Sequence, residues 1–235
     1  MVAKSTIDIV TGATQGIGKA IAESIAHHRC KVNNTAADDS SVSSLYKLIL
    51  VGRNATRGER VAGDIAKATG LTVVFESVDL SDYSQIQAMV SKHFTFDQDD
   101  TQVARVGILV NSAAECPRQQ QMIELKRKGT QQQEYLDTVD KQFATNVLGY
   151  HFMLSGLKAY FQNSHVVMVA SNWAGDLDLT DVNFQRRRYD NDTAYRQSKQ
   201  CNRMLASIWA KELKGRAFVN SCHPGDPCTT LSTSL

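Results

Sequence analysis

The run Ile7-Asp-Ile-Val-Thr-Gly-Ala-Thr-Gln-Gly-Ile-Gly18 leaves this chain few ways to fold. A short apolar, β-branched stretch leads into a turn carrying Gly12, Gly16 and Gly18, and an apolar period of helical spacing follows at Ile17, Ile21 and Ile25. Strand, glycine turn and helix in that order open a mononucleotide-binding unit. Gly12 suits the tight turn, Gly16 lets backbone approach a pyrophosphate with no Cβ in the way, and Gly18 lets the helix lie close to the strand. The helix start then offers free N–H groups to phosphate. The spacing is Gly-x-x-x-Gly-x-Gly, not the Gly-x-Gly-x-x-Gly of the general dinucleotide fingerprint, so a plain β–α turn stays open as the alternative.

The rest of the chain continues the alternation. Apolar runs predict strands near 7–11, 46–52, 71–77, 106–111, 165–171 and 217–222, and helical patterns fall near 17–29, 55–69, 82–93, 134–160 and 192–213. Alternating β and α elements predict an α/β fold, a Rossmann-like doubly wound parallel sheet in three layers. With 235 residues and 42% hydrophobic content, the chain is expected to fold as one domain over 1–235. Two polar segments, Asn33 to Ser44 and Thr95 to Gln102, read as surface excursions, and Pro117 to Gln133, polar and Gln/Lys-rich, is expected to border the site mouth.

A second feature carries chemistry. Tyr195 and Lys199 in Ala-Tyr-Arg-Gln-Ser-Lys sit four residues apart, on one face of a predicted helix. A free tyrosine gives up its proton only near pH ~10, and a close cation favours the phenolate. Such a pair is also what an ordinary half-exposed helix face looks like. The glycine turn elsewhere in the chain gives it a use.

Together these motifs resemble the short-chain dehydrogenase/reductase family, from Ile7 to about Thr229. Thr11-Gly12 through Gly18, with Thr14, Gln15 and Ile17 between the glycines, matches the family's cofactor turn. Asn111-Ser-Ala113-Ala resembles its Asn-Ala-Ala-Gly motif, and Asn146 matches its helix asparagine. Ser171, read as the end of the fifth strand, matches the catalytic serine, Tyr195 and Lys199 match Tyr-x-x-x-Lys, and Pro224-Gly225 with Thr229 resembles Pro-Gly-x-x-x-Thr. The resemblance implies a nicotinamide cofactor and carbonyl–alcohol interconversion. By this resemblance Tyr195 would be the acid/base, Lys199 would tune it and hold the nicotinamide ribose, Ser171 would bond the substrate oxygen, and Asn146 would keep a water that links Lys199 to solvent.

The end of the second strand bears on the cofactor. It reads Leu-Val-Gly-Arg53-Asn54 with no acid to hold a ribose 2′-hydroxyl, and arginine can grip a phosphate with paired N–H groups, so NADP(H) is expected. Asp79 with Leu80 matches the family's position beside the adenine, although Asp79 could equally cap a helix near Ser81. Within the family, Asp178-Leu-Thr-Asp-Val-Asn, Val51-Gly-Arg53-Asn and His223-Pro-Gly resemble the retinol-dehydrogenase-like and protochlorophyllide-reductase-like branch. That implies a lipophilic alcohol or carbonyl substrate, with Trp173 and Leu177 as pocket candidates. A homodimer follows by the same resemblance.

Composition excludes other classes. A formal net charge of +2, with no basic patch interleaved with aromatics, gives no case for nucleic acid. No stretch approaches the roughly 20 apolar residues of a membrane span. Five scattered cysteines, Cys30, Cys116, Cys201, Cys222 and Cys228, read as reduced thiols in a cytoplasmic protein, not as a disulfide framework or a metal site. Family members continue past the threonine into a substrate-covering segment and a last strand. The sequence stops at Leu235, so the expected sheet lacks that strand and lid. A fold-retaining nucleotide-binding or interaction protein with little turnover is therefore the competing expectation.

Overall fold

Strand β1 (Ser5–Thr11) sends Ile7 and Ile9 to one side of a sheet and Asp8 and Val10 to the other, the period-two alternation of extended chain. Strand β2 (Tyr46–Gly52) repeats this with Ile49 and Val51 opposite Leu48 and Leu50. Each strand is therefore apolar on both faces, which only a sheet covered on both sides can satisfy. The structure, a computed structural model, describes residues 5–35, 46–95, 104–128 and 134–225. Among them β3 (Thr72–Ser77), β4 (Ala104–Asn111), β7 (Phe161–Val169) and β8 (Ala217–Cys222) complete a six-stranded parallel sheet of order β3-β2-β1-β4-β7-β8.

Helices α1 (Gly16–Thr35) and α2 (Ala55–Thr69) cover one face through Ala22, Ala26, Val61 and Ile65. The other face is covered by α3 (Tyr83–His93), α5 (Gly149–Leu157) and α6 (Asn191–Glu212), whose Ile86, Met153 and Trp209 join its core. The result is the expected three-layer doubly wound fold. The strand order reverses between β1 and β4, and a crevice opens there beyond the carboxyl ends of the strands.

One buried charge ties this centre together. Asp8 has no solvent exposure, and its carboxylate accepts from Arg29 Nε at 3.0 Å, Tyr46 Oη at 3.0 Å and Ile108 N at 2.8 Å. It thereby joins β1, α1, β2 and β4.

Three expectations need correction. The helix expected from residue 134 begins at Lys141, because 134–140 is strand β6 (Glu134–Asp140), paired antiparallel with β5 (Met122–Lys128) in a separate hairpin. Tyr135, Thr138 and Val139 are strand-favouring residue types, and Asp140 then caps the helix by accepting from Phe143 N at 3.1 Å. The polar segment from Pro117 to Gln133 thus holds half of that hairpin. Strand β7 ends at Val169, so Ser171 lies beyond it and not at its last position. Helix α1 runs to Thr35, while residues 36–44 and 96–102 of the two excursions lie outside the described residues.

From Lys141 the chain is helical through α4 (Lys141–Phe143), a π-turn (Ala144–Leu148) and α5. The π-turn carries Asn146, and such bulges re-aim one turn of side chains.

Candidate active site

The crevice is built by the glycine turn first. Gly12 has φ +68°, and a Cβ there would lie 2.8 Å from Ala113 Cα and 2.9 Å from Ala113 N, so the turn closes only without a side chain. At Gly18 a Cβ would stand 2.4 Å from Gly12 O, which lets α1 start directly against the strand end. Thr11 Oγ1 accepts from Ser112 N at 3.0 Å and Ala113 N at 3.1 Å, locking the Asn111–Ala114 segment beside the turn. The resulting cleft is lined by residues 12, 14–18, 51–53, 78–80, 112–115 and 145. Thr145 Oγ1 in its wall is buried without a hydrogen-bond partner among the described residues, and so are both side-chain polar atoms of Asn111 at the strand end behind it. A side-chain-free cradle at a helix start, with an unpaired hydroxyl in the wall, fits a dinucleotide.

The charged groups of the cleft are less simple than the sequence implies. Arg53, half exposed at the tip of β2, forms an ion pair with Glu115 across the cleft. Burial pushes the Glu115 carboxyl up, Arg53 and Lys141 pull it down, and Asp79 adds to the rise. Asn54, expected to touch cofactor, is instead the N-cap of α2, its Oδ1 accepting from Arg57 N at 2.9 Å. Asp79 lines the cleft, but its Oδ1 accepts from Ser81 N at 2.9 Å and Ser81 Oγ at 2.7 Å, so the local turn takes one of its oxygens. Arg57 reaches back to hydrogen-bond Gln15 in the glycine turn.

Ser171, Tyr195 and Lys199 come together next to this cleft. The segment between β7 and α6 is organised by Asp181, whose carboxylate accepts from Gln185 N, Arg186 N and Arg187 N at 2.7 to 3.2 Å. Arg187 Nη2 then donates to Gln197 Oε1 at 2.9 Å, and Gln197 Nε2 to Val182 O at 3.0 Å, docking the segment on α6 beside Tyr195. Arg203 Nη2 holds Ser171 O at 2.6 Å. The Ser171 hydroxyl, which donates to Asn172 Oδ1 at 3.3 Å and accepts from Trp173 N at 3.1 Å, lies near enough to the Tyr195 phenol to favour its phenolate, and Lys199 Nζ lies 5.7 Å from the Tyr195 ring centroid and 5.5 Å from that of Tyr150.

The direction of the tyrosine's tuning differs from expectation. Burial pushes the Tyr195 phenol up, and the Ser171 hydroxyl offsets this only in part. Lys199 is buried, donates to Val169 O at 2.8 Å, and is itself pushed down to about 7 by burial. Lys199 donates to the strand carbonyl, and burial is what sets the direction of the Tyr195 shift.

Asn146 is anchored on two sides. Its Oδ1 accepts from Glu115 N at 2.8 Å, while Nδ2 donates to Glu115 O at 2.9 Å and Ser198 Oγ at 3.1 Å. Both amide hydrogens are committed within the protein.

The motif after β8 stays apart: Pro224 and Gly225 are exposed and do not line the cleft, and Thr229 lies outside the described residues. Trp173 is 46% exposed and Leu177 half-buried, and neither borders the cleft. Sequence reasoning missed Glu115, Arg57 and Tyr150. Tyr150, fully buried, donates from its hydroxyl to Ala113 O at 3.0 Å while its ring backs Lys199. The one available signal was Glu115, an acid directly following the Asn111–Ala114 motif.

Fold and cleft define a dinucleotide-binding α/β protein. The family model for short chain dehydrogenases matches residues 6–235, and the chain belongs to that family of oxidoreductases, which work with nicotinamide cofactors. It is 32% identical over 238 residues to retinol dehydrogenase 13 of Mus musculus, covering 95% of this chain and 59% of that one. It is 27% identical over 223 residues to dehydrogenase/reductase SDR family member 12 of Homo sapiens, covering 92% and 59%. The chain thus spans about 59% of the length of these relatives. Among solved structures, a short chain dehydrogenase of Salmonella enterica superposes with a TM-score of 0.65 at 20% identity, covering 98% of this chain and 80% of the other. Among the described residues no helix is long and apolar enough to cross a membrane, and no group of three His, Cys, Asp or Glu is placed to hold a metal.

Proposed function

We propose that the chain is an NADP(H)-dependent oxidoreductase that interconverts an alcohol and a carbonyl, with Tyr195 as acid/base. The observation that carries this reading is the convergence of Ser171, Tyr195 and Lys199, from two separate segments, beside a glycine-cradled cleft. Gly12 to Gly18 would hold the pyrophosphate, Arg53 the 2′-phosphate, and Asn111, Ala113 and Lys199 the nicotinamide half. A bound nicotinamide supplies the hydride and, when oxidised, a positive charge. In reduction Tyr195 donates its proton to the substrate oxygen; in oxidation it accepts one. Ser171 orients that oxygen and stabilises the phenolate. The raised phenol suits the donor role, since burial favours the protonated Tyr195.

A lipophilic substrate is supported by relatives named retinol dehydrogenase and by exposed Trp173 and Leu179 on the segment leading to Tyr195. The test is NADPH consumption with an apolar aldehyde or ketone series, for wild type and Tyr195→Phe. Loss of turnover with NADPH binding retained is expected. Turnover unchanged by Tyr195→Phe sinks the mechanism, and cofactor binding with no turnover by wild type favours a binding protein that retains the fold.

A further inference from the structure

We propose that Glu115 sets cofactor choice by holding Arg53 in an internal ion pair that a 2′-phosphate must displace. This rests on the reading of Arg53 as the 2′-phosphate ligand. Both side chains line the cleft, from opposite walls, and they meet across it.

The two partners are not equally free to move. Asn146 holds Glu115 through both its N–H and its carbonyl, at 2.8 and 2.9 Å, so the acid is pinned to the helix that follows the hairpin. The Glu115 side chain is 14% exposed, whereas that of Arg53 is 53% exposed on the rim of β2. The guanidinium is therefore the partner that swings.

Charge then separates the two cofactors. A 2′-phosphate and the Glu115 carboxylate compete for one guanidinium, whose planar fork binds either anion in pairs. A ribose 2′-hydroxyl makes no such demand and leaves the ion pair in place. Glu115 thus works as a built-in rival to the phosphate and mutes a preference that Arg53 alone would make strong. Lys141 and Asp79 also act on Glu115, with opposite signs, but among the described residues only Arg53 pairs with it.

The experiment is direct binding of NADPH and NADH, by nucleotide fluorescence without substrate, to wild type, Glu115→Gln, Glu115→Ala, Arg53→Ala and Arg53→Ala/Glu115→Gln. Thermal melts check folding of each. Expected is NADPH tightened about five- to tenfold by either Glu115 substitution, with NADH changed less than about twofold, and no selective gain in the Arg53→Ala background. Equal tightening of both cofactors, or a selective gain that survives Arg53→Ala, overturns the proposal, because Glu115 then acts as a general charge and not through Arg53. If Arg53→Ala weakens NADPH while both Glu115 variants leave the NADPH/NADH ratio unchanged, the proposal alone fails. If Arg53→Ala leaves NADPH affinity intact, the reading of Arg53 fails and the proposal with it.

Discussion

Replacing Lys199 with methionine should stabilise the protein while ending its chemistry. Lys199 is 1% exposed, and its ammonium meets one carbonyl, Val169 O at 2.8 Å, plus the faces of Tyr150 and Tyr195. Burial lowers its pKa from 10.5 to about 7. At roughly 1.4 kcal/mol per tenfold change, that corresponds to an upper bound of about 5 kcal/mol of strain in carrying the charged form. Methionine fills similar space without the charge, forfeits about 1 kcal/mol of hydrogen bond, and packs imperfectly, leaving a net gain of about 1–3 kcal/mol. The sign with pH follows from the lowered value. Between about 7 and 10.5 the unfolded chain holds this proton and the folded chain does not, so wild-type stability from this group rises with pH across that window. The advantage of Lys199→Met is accordingly full below about 7 and fades toward 10.5. Urea unfolding of both proteins near pH ~6, ~8 and ~10 reads this directly. A variant destabilised at every pH, or a gap that does not change with pH, would falsify the account of Lys199 as a charge kept at a cost to stability for function.

Asp8→Ala strands Arg29, the Tyr46 hydroxyl and Ile108 N–H together and should cost about 3–5 kcal/mol by urea unfolding, with Asp8→Asn recovering part; a loss below about 1 kcal/mol would refute the role of this buried group. Gly18→Ala drives a Cβ to within 2.4 Å of Gly12 O. It should lower stability by about 1–3 kcal/mol and abolish NADPH binding in a fluorescence titration; unaltered affinity would show that the turn is not the cradle.

What was legible follows local chemistry. The strands were readable because apolar residues on both faces of a central parallel strand make continuous runs, and Gly12 and Gly18 because their positions exclude any Cβ. The hairpin β5–β6 was not, since it stands outside the main sheet and its segment lacks an apolar run. Asn54 and Asp79 carry two readings each in sequence, and only the positions of Arg57 N and Ser81 show that caps and turns hold their oxygens. The pairing of Arg53 with Glu115 joins the ends of β2 and the β4 loop, which meet only because β1 lies between their strands. The direction of the Tyr195 shift depends on how deeply packing buries it, and spacing along one helix says nothing of that.

Asn146 shows why that burial and the cleft belong to one design. A π-turn adds a residue to a helical repeat at some cost in geometry, and here it presents an amide that completes the peptide of Glu115 on one side and meets Ser198 on the other. Ser198 precedes Lys199 on α6 and donates to Tyr195 O at 2.8 Å. One side chain therefore joins the loop that carries the cleft's acid to the turn of α6 that carries Tyr195 and Lys199. Aspartate could accept from Glu115 N but could not donate to Glu115 O, so Asn146→Asp places an acceptor against an acceptor in a fully buried site. That substitution should loosen Glu115 and α6 together, weakening both the hold on Arg53 and the placement of Tyr195. NADPH binding and turnover should then change in the same variant, whereas a change confined to one of them would mean that the two halves of the site are held independently.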